Sequence, residues 1–306
     1  MAKFRINILG CGSATPSLRH LPSSQVIDHR ERLFMIDCGE GAQLALRRQR
    51  IKFSRLDHIF ISHLHGDHCF GLPGLLSTLA LHDKGSAVTI HTFAEGAELL
   101  KRVMDFFCRD TPFQVQYDII RPGQTDIIYE DDALSVSTFP LYHRTPCTGF
   151  LFREKTKPRH IKGDMVKFYN IPAWRLTEIK AGADFVTPDG RVVPNSHLTT
   201  DADPAMSYAY CSDTMFNPAV AKAVEGVDVL YHEATYDDEF AALASQRGHS
   251  TAREAARIAS MAGVKQLIIG HFSKRYLSED ALLAQAREEF PNVMTANEGM
   301  TIDLIK

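Results

Sequence analysis

Four potential metal ligands lie within six consecutive residues, 63–68, which read HLHGDH. This stretch directly follows residues 57–62, and the apolar character of that preceding segment predicts a buried strand. Imidazole nitrogens suit zinc and similar ions, and a carboxylate can bind a second ion or hold a water molecule. Because the carboxyl ends of buried strands face the cleft of an open α/β fold, the stretch predicts a metal site in a protein of that class.

The composition is that of an ordinary globular protein. The chain has 306 residues, which is consistent with one or two domains, and its 44% hydrophobic content is enough for a large core. The formal net charge is −3, so binding to a nucleic acid requires a local basic patch. No apolar run approaches the ~20 residues of a membrane helix, and we expect no membrane contact.

The N-terminal residues and the cysteines indicate the compartment. The chain enters a predicted strand at once and lacks the apolar region of a signal peptide. The cysteines lie far apart and form no CxxC pair, which favours free thiols over a disulfide framework. These cysteines are Cys11, Cys38, Cys69, Cys108, Cys147 and Cys211. We therefore expect a cytoplasmic protein.

Strand-like and helix-like segments alternate along most of the chain. We predict strands at 4–9, 24–28, 33–36, 57–62, 86–91, 114–121, 134–139, 207–212, 227–231, 266–270 and 300–305. We predict helices near 40–50, 72–82, 95–108, 217–225, 250–262 and 281–289. Because the strands occur in clusters with helices between them, we expect an α/β fold of two mixed sheets covered by helices on the outside.

Residues 153–200 differ from the rest of the chain. They contain few apolar runs and many prolines and glycines, and residues 153–180 hold eight Lys or Arg against three acids. Phe168, Tyr169 and the only tryptophan, Trp174, lie among these charges. Basic and aromatic residues together in an acidic protein favour contact with an anionic polymer. A solvated insertion without a role is the alternative.

Three further potential ligands follow predicted strands. His143 lies beyond the strand at 134–139, Asp213 directly follows the strand at 207–212, and His271 directly follows the strand at 266–270. Each of these residues alone is a weak signal. Together they predict that ligands from several strand ends meet at one edge, as a site for two metal ions requires.

Several short motifs, spread over almost the whole chain, carry a family resemblance. Besides HLHGDH, they occupy residues 9–13, 36–40, 71–74, 212–214, 232–235, 249–251 and 270–276. They resemble the motifs of ribonuclease Z, a family of tRNA 3′-processing endonucleases among the metallo-β-lactamase-fold hydrolases. The HLHGDH pattern is typical of the whole superfamily, whereas HEAT at 232–235, HST at 249–251 and SKRY at 273–276 are more specific.

The resemblance implies two Zn²⁺ ions per subunit. One would be held by His63, His65 and His143, and the other by Asp67, His68 and His271, with Asp213 bridging them. A ligand set of nitrogen and oxygen could also hold Mn²⁺ or Fe²⁺, and the residues leave the metal open.

The resemblance also implies three catalytic residues. Asp67 would orient or deprotonate the attacking water, and His249 would be the general acid, with Glu233 fixing its tautomer. His249 could instead be a histidine beside a helix cap, and Glu233 a buried structural acid. His232 and Glu233 do not begin a zincin HExxH motif, because position 236 is Tyr236. Arg275 could bind a substrate phosphate or form a structural ion pair.

The implied protein is a single αββα metallo-β-lactamase-like domain over residues 1–306, with a flexible basic arm at about 153–200 that binds tRNA. It would be a zinc-dependent endoribonuclease that removes 3′ trailers from precursor tRNA, leaving a 3′-hydroxyl on the tRNA and a 5′-phosphate on the trailer. The family implies a homodimer. Two alternatives are a small-molecule phosphodiesterase or arylsulfatase of the same fold, and an inactive RNA-binding scaffold.

Two places depart from the family's pattern. The arm reads Asn170-Ile171-Pro172 where the family often has a Gly-Pro pair. The loop at 16–20 ends in His20 where the family has an asparagine. These departures affect the expected arm conformation and the recognition of the acceptor end, but none of the seven predicted ligands.

Overall fold

The computed structural model describes residues 4–82, 84–108 and 111–304. These residues divide into two compact units. The larger unit comprises the described residues of 4–130, 135–152 and 206–304, and the smaller unit comprises 131–134 and 153–205. None of the described helices is both long and apolar enough to cross a membrane.

Strands are distributed along the whole chain. In order they are β1 (Phe4–Gly10), β2 (Ser24–His29), β3 (Arg32–Cys38), β4 (Leu56–Phe60), β5 (Val88–Thr92), β6 (Val115–Ile119), β7 (Ile127–Glu130), β8 (Leu134–Leu141), β9 (Cys147–Glu154), β10 (His160–Ile161), β11 (Phe185–Val186), β12 (Val192–Val193), β13 (Thr199–Thr200), β14 (Ser207–Cys211), β15 (Val229–Glu233), β16 (Gln266–Gly270), β17 (Val293–Thr295) and β18 (Thr301–Asp303).

Helices separate many of these strands. In order they are α1 (Ala42–Arg48), α2 (Gly66–Cys69), α3 (Leu72–Leu81), α4 (Ala94–Phe107), α5 (Gly163–Phe168), α6 (Leu176–Lys180), α7 (Asn195–Leu198), α8 (Ala219–Ala223), α9 (Ala241–Arg247), α10 (Ala252–Ala262) and α11 (Asp280–Glu289). Short 3₁₀ turns occur at Phe53–Arg55, Ala173–Arg175 and Asp238–Phe240.

The larger unit contains two mixed sheets of seven strands each. The first sheet has the order β18-β1-β2-β3-β4-β5-β6, and β3 to β6 run parallel to one another. The second has the order β17-β16-β15-β14-β9-β8-β7, and β14 to β17 run parallel to one another. Parallel neighbours place their carboxyl ends at the same edge, where ligands bind in folds of this kind.

Strand β3 shows how the first sheet buries both of its faces. Phe34 contacts the Phe152 ring of β9 in the second sheet, with the ring centroids 6.1 Å apart. Leu33 and Met35 point the other way and join the cluster formed with α1, α3 and α4. Because successive side chains of a strand alternate between faces, this pattern places the second sheet on one side and helices on the other.

Helix α10 covers the second sheet in the same manner. Its buried face consists mostly of alanines, which allow close approach to β15 and β16. The helix begins at a capping box between Thr251 and Glu254 and ends at Gly263 in the left-handed conformation. With helices outside both sheets, the larger unit has the predicted αββα layers.

The smaller unit has its own two-stranded pairs and its own core. Strand β10 pairs with β13, and β11 pairs with β12, both antiparallel. Its buried apolar residues are Ile171, Ile179, Phe185, Val193 and Leu198. None of these elements is predicted from the sequence, because each is only two to six residues long.

Every predicted strand and helix overlaps an observed one, with differences of a few residues at the ends, and residue 305 of the last predicted strand lies outside the described residues. In the larger unit the prediction missed β7, β9, β17, α2 and α9. Strand β9 is buried on both faces for most of its length, so its sequence shows no alternation of apolar and polar residues.

We predict that Leu76→Ala lowers the free energy of unfolding by about 2–5 kcal/mol, since it removes a buried side chain from the core beneath α3. Leu81 lies on the same helix and is 81% exposed, so Leu81→Ala is the matched control. Urea unfolding of both variants measures the difference. Equal destabilisation by the two substitutions would contradict the observed packing of α3.

Candidate metal centre

The second sheet brings three polar residues to one edge. Strands β14, β15 and β16 are parallel neighbours in consecutive register. Asp213 lies two residues beyond the end of β14, Glu233 is the last residue of β15, and His271 directly follows β16. All three are buried.

The first candidate ligand group contains His63, His65, His143 and Asp213, whose ligand atoms lie within 4.8 Å of one another. His65 Nδ1 is 3.0 Å from His63 Nε2 and 3.2 Å from His143 Nε2. Ligands about 2.0–2.1 Å from a tetrahedral zinc ion stand about 3.3 Å apart. The spacing of the three imidazoles therefore fits a metal ion of that size.

The second candidate ligand group contains Asp67, His68 and His271. His271 Nε2 is 3.3 Å from His68 Nε2 and 3.4 Å from Asp67 Oδ2. These separations match those of the first group. The seven residues predicted as ligands thus form two adjacent clusters.

Asp213 lies between the two groups and faces each with a different oxygen. Its Oδ2 is 3.5 Å from His63 Nε2, whereas its Oδ1 is 3.3 Å from His271 Nε2 and 3.5 Å from His68 Nε2. Oδ1 is buried and accepts no hydrogen bond from the described residues. A buried carboxylate oxygen without a partner is unfavourable, and a cation at this position would satisfy it. The donor set therefore fits metal ions.

The charges around these residues favour a cation. Burial opposes protonation of His68, but Asp213, Asp37 and Asp67 outweigh this effect and raise the pKa of His68 to about 10. Burial holds the pKa of His63 well below its usual range, so this imidazole is neutral at pH 7. A divalent metal ion would take the place of the His68 proton, because neutral imidazole and carboxylate are the donor types that bind such ions.

The outer nitrogens of the candidate ligands have fixed partners. His68 Nδ1 lies 2.7 Å from Asp37 Oδ2, His143 Nδ1 2.7 Å from the carbonyl of Gly248, and His271 Nδ1 2.8 Å from Thr235 Oγ1. Gly248 has a positive φ of 75°, and a Cβ there would lie 2.9 Å from His143 Nδ1. Such outer contacts fix the ring orientation and the tautomer of a ligand.

Asp37 lies within the family motif at residues 36–40, and the sequence alone predicts no role for it. The Asp37 carboxylate accepts hydrogen bonds from the Ser62 amide, the Ser62 hydroxyl and the Tyr210 hydroxyl, besides its contact with His68. Its position at the carboxyl end of β3, one strand away from the ligand stretch, is the signal that could have identified it.

His249 and Glu233 form a charged pair beside the ligand groups. His249 Nδ1 lies 3.0 Å from Glu233 Oε1, while Glu233 also accepts from the amides of Ser250 and Thr235. Despite the opposing effect of burial on each group, their mutual attraction raises the pKa of His249 and lowers that of Glu233. A third candidate ligand group contains His249, because its ligand atom and those of Asp213 and His271 lie within 4.8 Å of one another.

A loop over residues 13–20 lies beside the site. The Ala14 amide donates to Asp67 Oδ2 at 2.7 Å. His20 contacts Glu298 at 2.9 Å and Glu279 at 3.1 Å, and the hydrogen bond to Glu298 raises the pKa of His20. Where the family has an asparagine, this chain thus anchors the loop with an ion pair.

The candidate ligands open onto a cleft of about 520 Å³. Besides the ligands and His249, its walls include Phe70, Arg144 and Arg247. Arg275 is not among the residues that line this cleft. Its guanidinium lies 3.9 Å from the centre of the Phe240 ring, and no described carboxylate pairs with it. Of its two possible roles, the structural ion pair is therefore not observed.

Sequence comparison assigns the family. The chain is 52% identical over 304 residues to ribonuclease Z of Bacteroides fragilis, and the alignment covers 99% of this chain and 100% of the relative. The chain belongs to the ribonuclease Z family. A family model described as "Anti-Pycsar protein Apyc1" also matches residues 4–103, which is less than half of the chain.

Solved structures agree with this family and with its fold. The short form of human tRNase Z (ELAC1) has a TM-score of 0.71 and 25% identity, covering 99% of this chain and 100% of that one. The metallo-β-lactamase fold protein YhfI from Bacillus subtilis has a TM-score of 0.69 and 16% identity, covering 98% and 99%. The predicted metallo-β-lactamase-like fold is confirmed.

We predict that His271→Ala weakens the binding of one metal ion, because it removes a candidate ligand. The loss of affinity should exceed the factor of about 10–100 that follows from losing an outer contact. His249→Ala is the control and should keep the full metal content, although His249 Nδ1 lies 3.9 Å from Asp213 Oδ2. Titration of the metal-free variants with Zn²⁺ against a competing chelator measures both. Loss of a metal ion from His249→Ala would identify His249 as a ligand.

Proposed function

We propose that this protein is a metal-dependent endoribonuclease that removes 3′ trailers from precursor tRNA. The identity of 52% to a ribonuclease Z over nearly the whole chain carries this proposal. The clustering of all seven candidate ligands supports it and argues against an inactive scaffold. The products would be a tRNA with a 3′-hydroxyl and a trailer with a 5′-phosphate.

The metals in this proposal are two Zn²⁺ ions. His63, His65 and His143 would hold one, Asp67, His68 and His271 the other, and Asp213 would bridge them. The nitrogen and oxygen donors leave Mn²⁺ and Fe²⁺ as alternatives. When bound, two such ions activate a water molecule and stabilise the charge of a phosphodiester undergoing in-line displacement.

Asp67 is proposed to orient the attacking water and accept its proton. One of its oxygens, Oδ2, accepts the Ala14 amide at 2.7 Å and faces His271 at 3.4 Å. These contacts hold the carboxylate in one orientation, which is the requirement for a positioned base.

His249 is proposed to protonate the 3′-oxygen of the tRNA as it leaves. His249 donates a hydrogen bond from Nδ1 to Glu233, so the Nδ1 proton stays on the ring and Nε2 is left to face the substrate. The amides of Thr214, Thr235 and Ser250 donate to Glu233, and hold it in place. A buried, fully hydrogen-bonded carboxylate of this kind stabilises an imidazolium without taking its proton.

The smaller unit is proposed to be the tRNA-binding arm. Phe168 and Trp174 are each 72% exposed, and the Arg175 guanidinium lies 5.4 Å from the centre of the Trp174 ring. Lys167 and Lys180 pair with no carboxylate among the described residues. Arg175 itself pairs with Glu178 at 2.6 Å, so it is the unpaired lysines and the exposed rings that support binding to RNA through phosphate contacts and stacking.

Two further properties follow from the proposed reaction and family. A cytoplasmic location is part of this proposal, because it would fit an enzyme that matures tRNA. A homodimer would let the arm of one subunit hold the tRNA whose 3′ end is cut by the other.

We predict that the purified enzyme cuts a 3′-extended tRNA precursor near the discriminator base and leaves a 3′-hydroxyl. Asp67→Ala should lower kcat by about 100-fold or more, as expected when a positioned base is lost. Mapping of the products at nucleotide resolution measures both. Glu40→Gln, which also changes a carboxylate of the cleft wall, is the control and should keep most of the activity.

The outcome separates the proposal from its alternative. Hydrolysis of a small phosphodiester with no cut in the precursor would favour the small-molecule hydrolase. Unchanged turnover by Asp67→Ala would remove Asp67 from the mechanism.

We predict that removal of the smaller unit abolishes precursor processing. Residues 162–198 can be replaced by Asn-Gly, because Ile161 already pairs with Thr199 across an antiparallel ladder that a two-residue turn can close. Loss of this remote contact should lower kcat/KM for the precursor by at least about 100-fold. Hydrolysis of a small phosphodiester should continue. If this hydrolysis falls as much as precursor processing does, the smaller unit has a structural role instead.

A further inference from the structure

Two arginines stand side by side on the wall of the cleft. Arg144 follows His143, Arg247 precedes Gly248, and the hydrogen bond from His143 Nδ1 to the Gly248 carbonyl joins the two segments. A Cβ at Gly248 would lie 3.4 Å from both the backbone nitrogen and Cγ of Arg144. Both arginines therefore stand at fixed backbone positions next to the candidate ligands.

Neither guanidinium is neutralised. Both side chains are exposed, and within the described part of the chain no carboxylate lies within 4 Å of either. Arg253, by contrast, contacts Asp238, Glu288 and Glu289. Two positive charges without partners that line the same cleft raise its positive potential and favour a bound anion.

The position of the pair indicates which anion it would meet. His249 directly follows Gly248, and its ring lies 5.0 Å from that of His143. Under the proposed function, His249 protonates the leaving 3′-oxygen, so its side of the cleft faces the mature tRNA. The nearest anion of the substrate on that side is the backbone phosphate one nucleotide before the cut.

We propose that Arg144 and Arg247 form a binding subsite for this phosphate, the one on the 5′ side of the nucleotide whose 3′-oxygen leaves. A guanidinium matches a phosphate with two parallel N–H donors, which fixes direction as well as distance. The subsite sets the register of the acceptor strand, so that the next phosphate along the chain reaches the metal ligands. This inference rests on the proposed function and identifies its substrate contact.

The test compares two precursors that differ at a single linkage. In one, a methylphosphonate replaces the phosphate before the cut and removes its charge. The wild-type enzyme should lose at least about 10-fold in kcat/KM on this substrate, the effect of a lost charge-assisted contact. On the normal precursor, the double variant Arg144→Gln/Arg247→Gln should have a kcat/KM lower than that of the wild type by a similar factor. Replacing the phosphate by the methylphosphonate should then lower the kcat/KM of the double variant by less than about 2-fold further.

Arg287→Gln is the matched control, because Arg287 is an exposed arginine of α11 that pairs with no described carboxylate and lies outside the cleft. It should respond to the methylphosphonate as the wild type does. The salt dependence gives an independent measure, since the slope of log(kcat/KM) against log salt should become shallower by about 0.7–0.9 for each lost phosphate contact.

The outcomes distinguish this inference from the proposed function. If the wild type fails to cut the unmodified precursor, the proposed function fails and the subsite with it. If the wild type cuts, but it and the double variant lose equally on the methylphosphonate, the subsite is wrong and the proposed function stands. A methylphosphonate that has no effect on the wild type would also overturn the subsite and leave the proposed function intact.

Discussion

The buried carboxylate of Asp37 is the interaction on which the site depends. It joins the two sheets, because Ser62 follows β4 of the first sheet and Tyr210 belongs to β14 of the second. Its contact with His68 then orients a candidate ligand. A buried charge is tolerated only when hydrogen bonds satisfy it, so these groups must come together for the larger unit to fold. Sheet packing and ligand geometry are therefore set by the same side chain.

The parallel strands explain why so much of the site follows from sequence. A ligand that directly follows an apolar strand must emerge at the strand's carboxyl end, and parallel neighbours share that edge. Asp213 and His271 could be predicted on this basis, because His271 directly follows β16 and Asp213 lies two residues beyond β14. The layered fold could be predicted because the strands occur in clusters with helices between them.

The contacts around the ligands could not be predicted in this way. The Gly248 carbonyl meets His143 across 105 residues, and Thr235 meets His271 across 36. No local pattern encodes such pairs, because they depend on how the two sheets and their loops pack. The smaller unit escaped prediction for a different reason: its elements are too short for a hydrophobic period to be seen.

The strand pair at the base of the smaller unit has an evolutionary consequence. Because β10 and β13 are adjacent, the chain enters and leaves this unit at neighbouring points. Its core is made of its own residues, so changes in its length need not disturb the packing of the sheets. Insertions, deletions or exchange of this segment could therefore accumulate between relatives while the metal ligands stay unchanged. Such a chain can acquire a new substrate preference without rebuilding its chemistry.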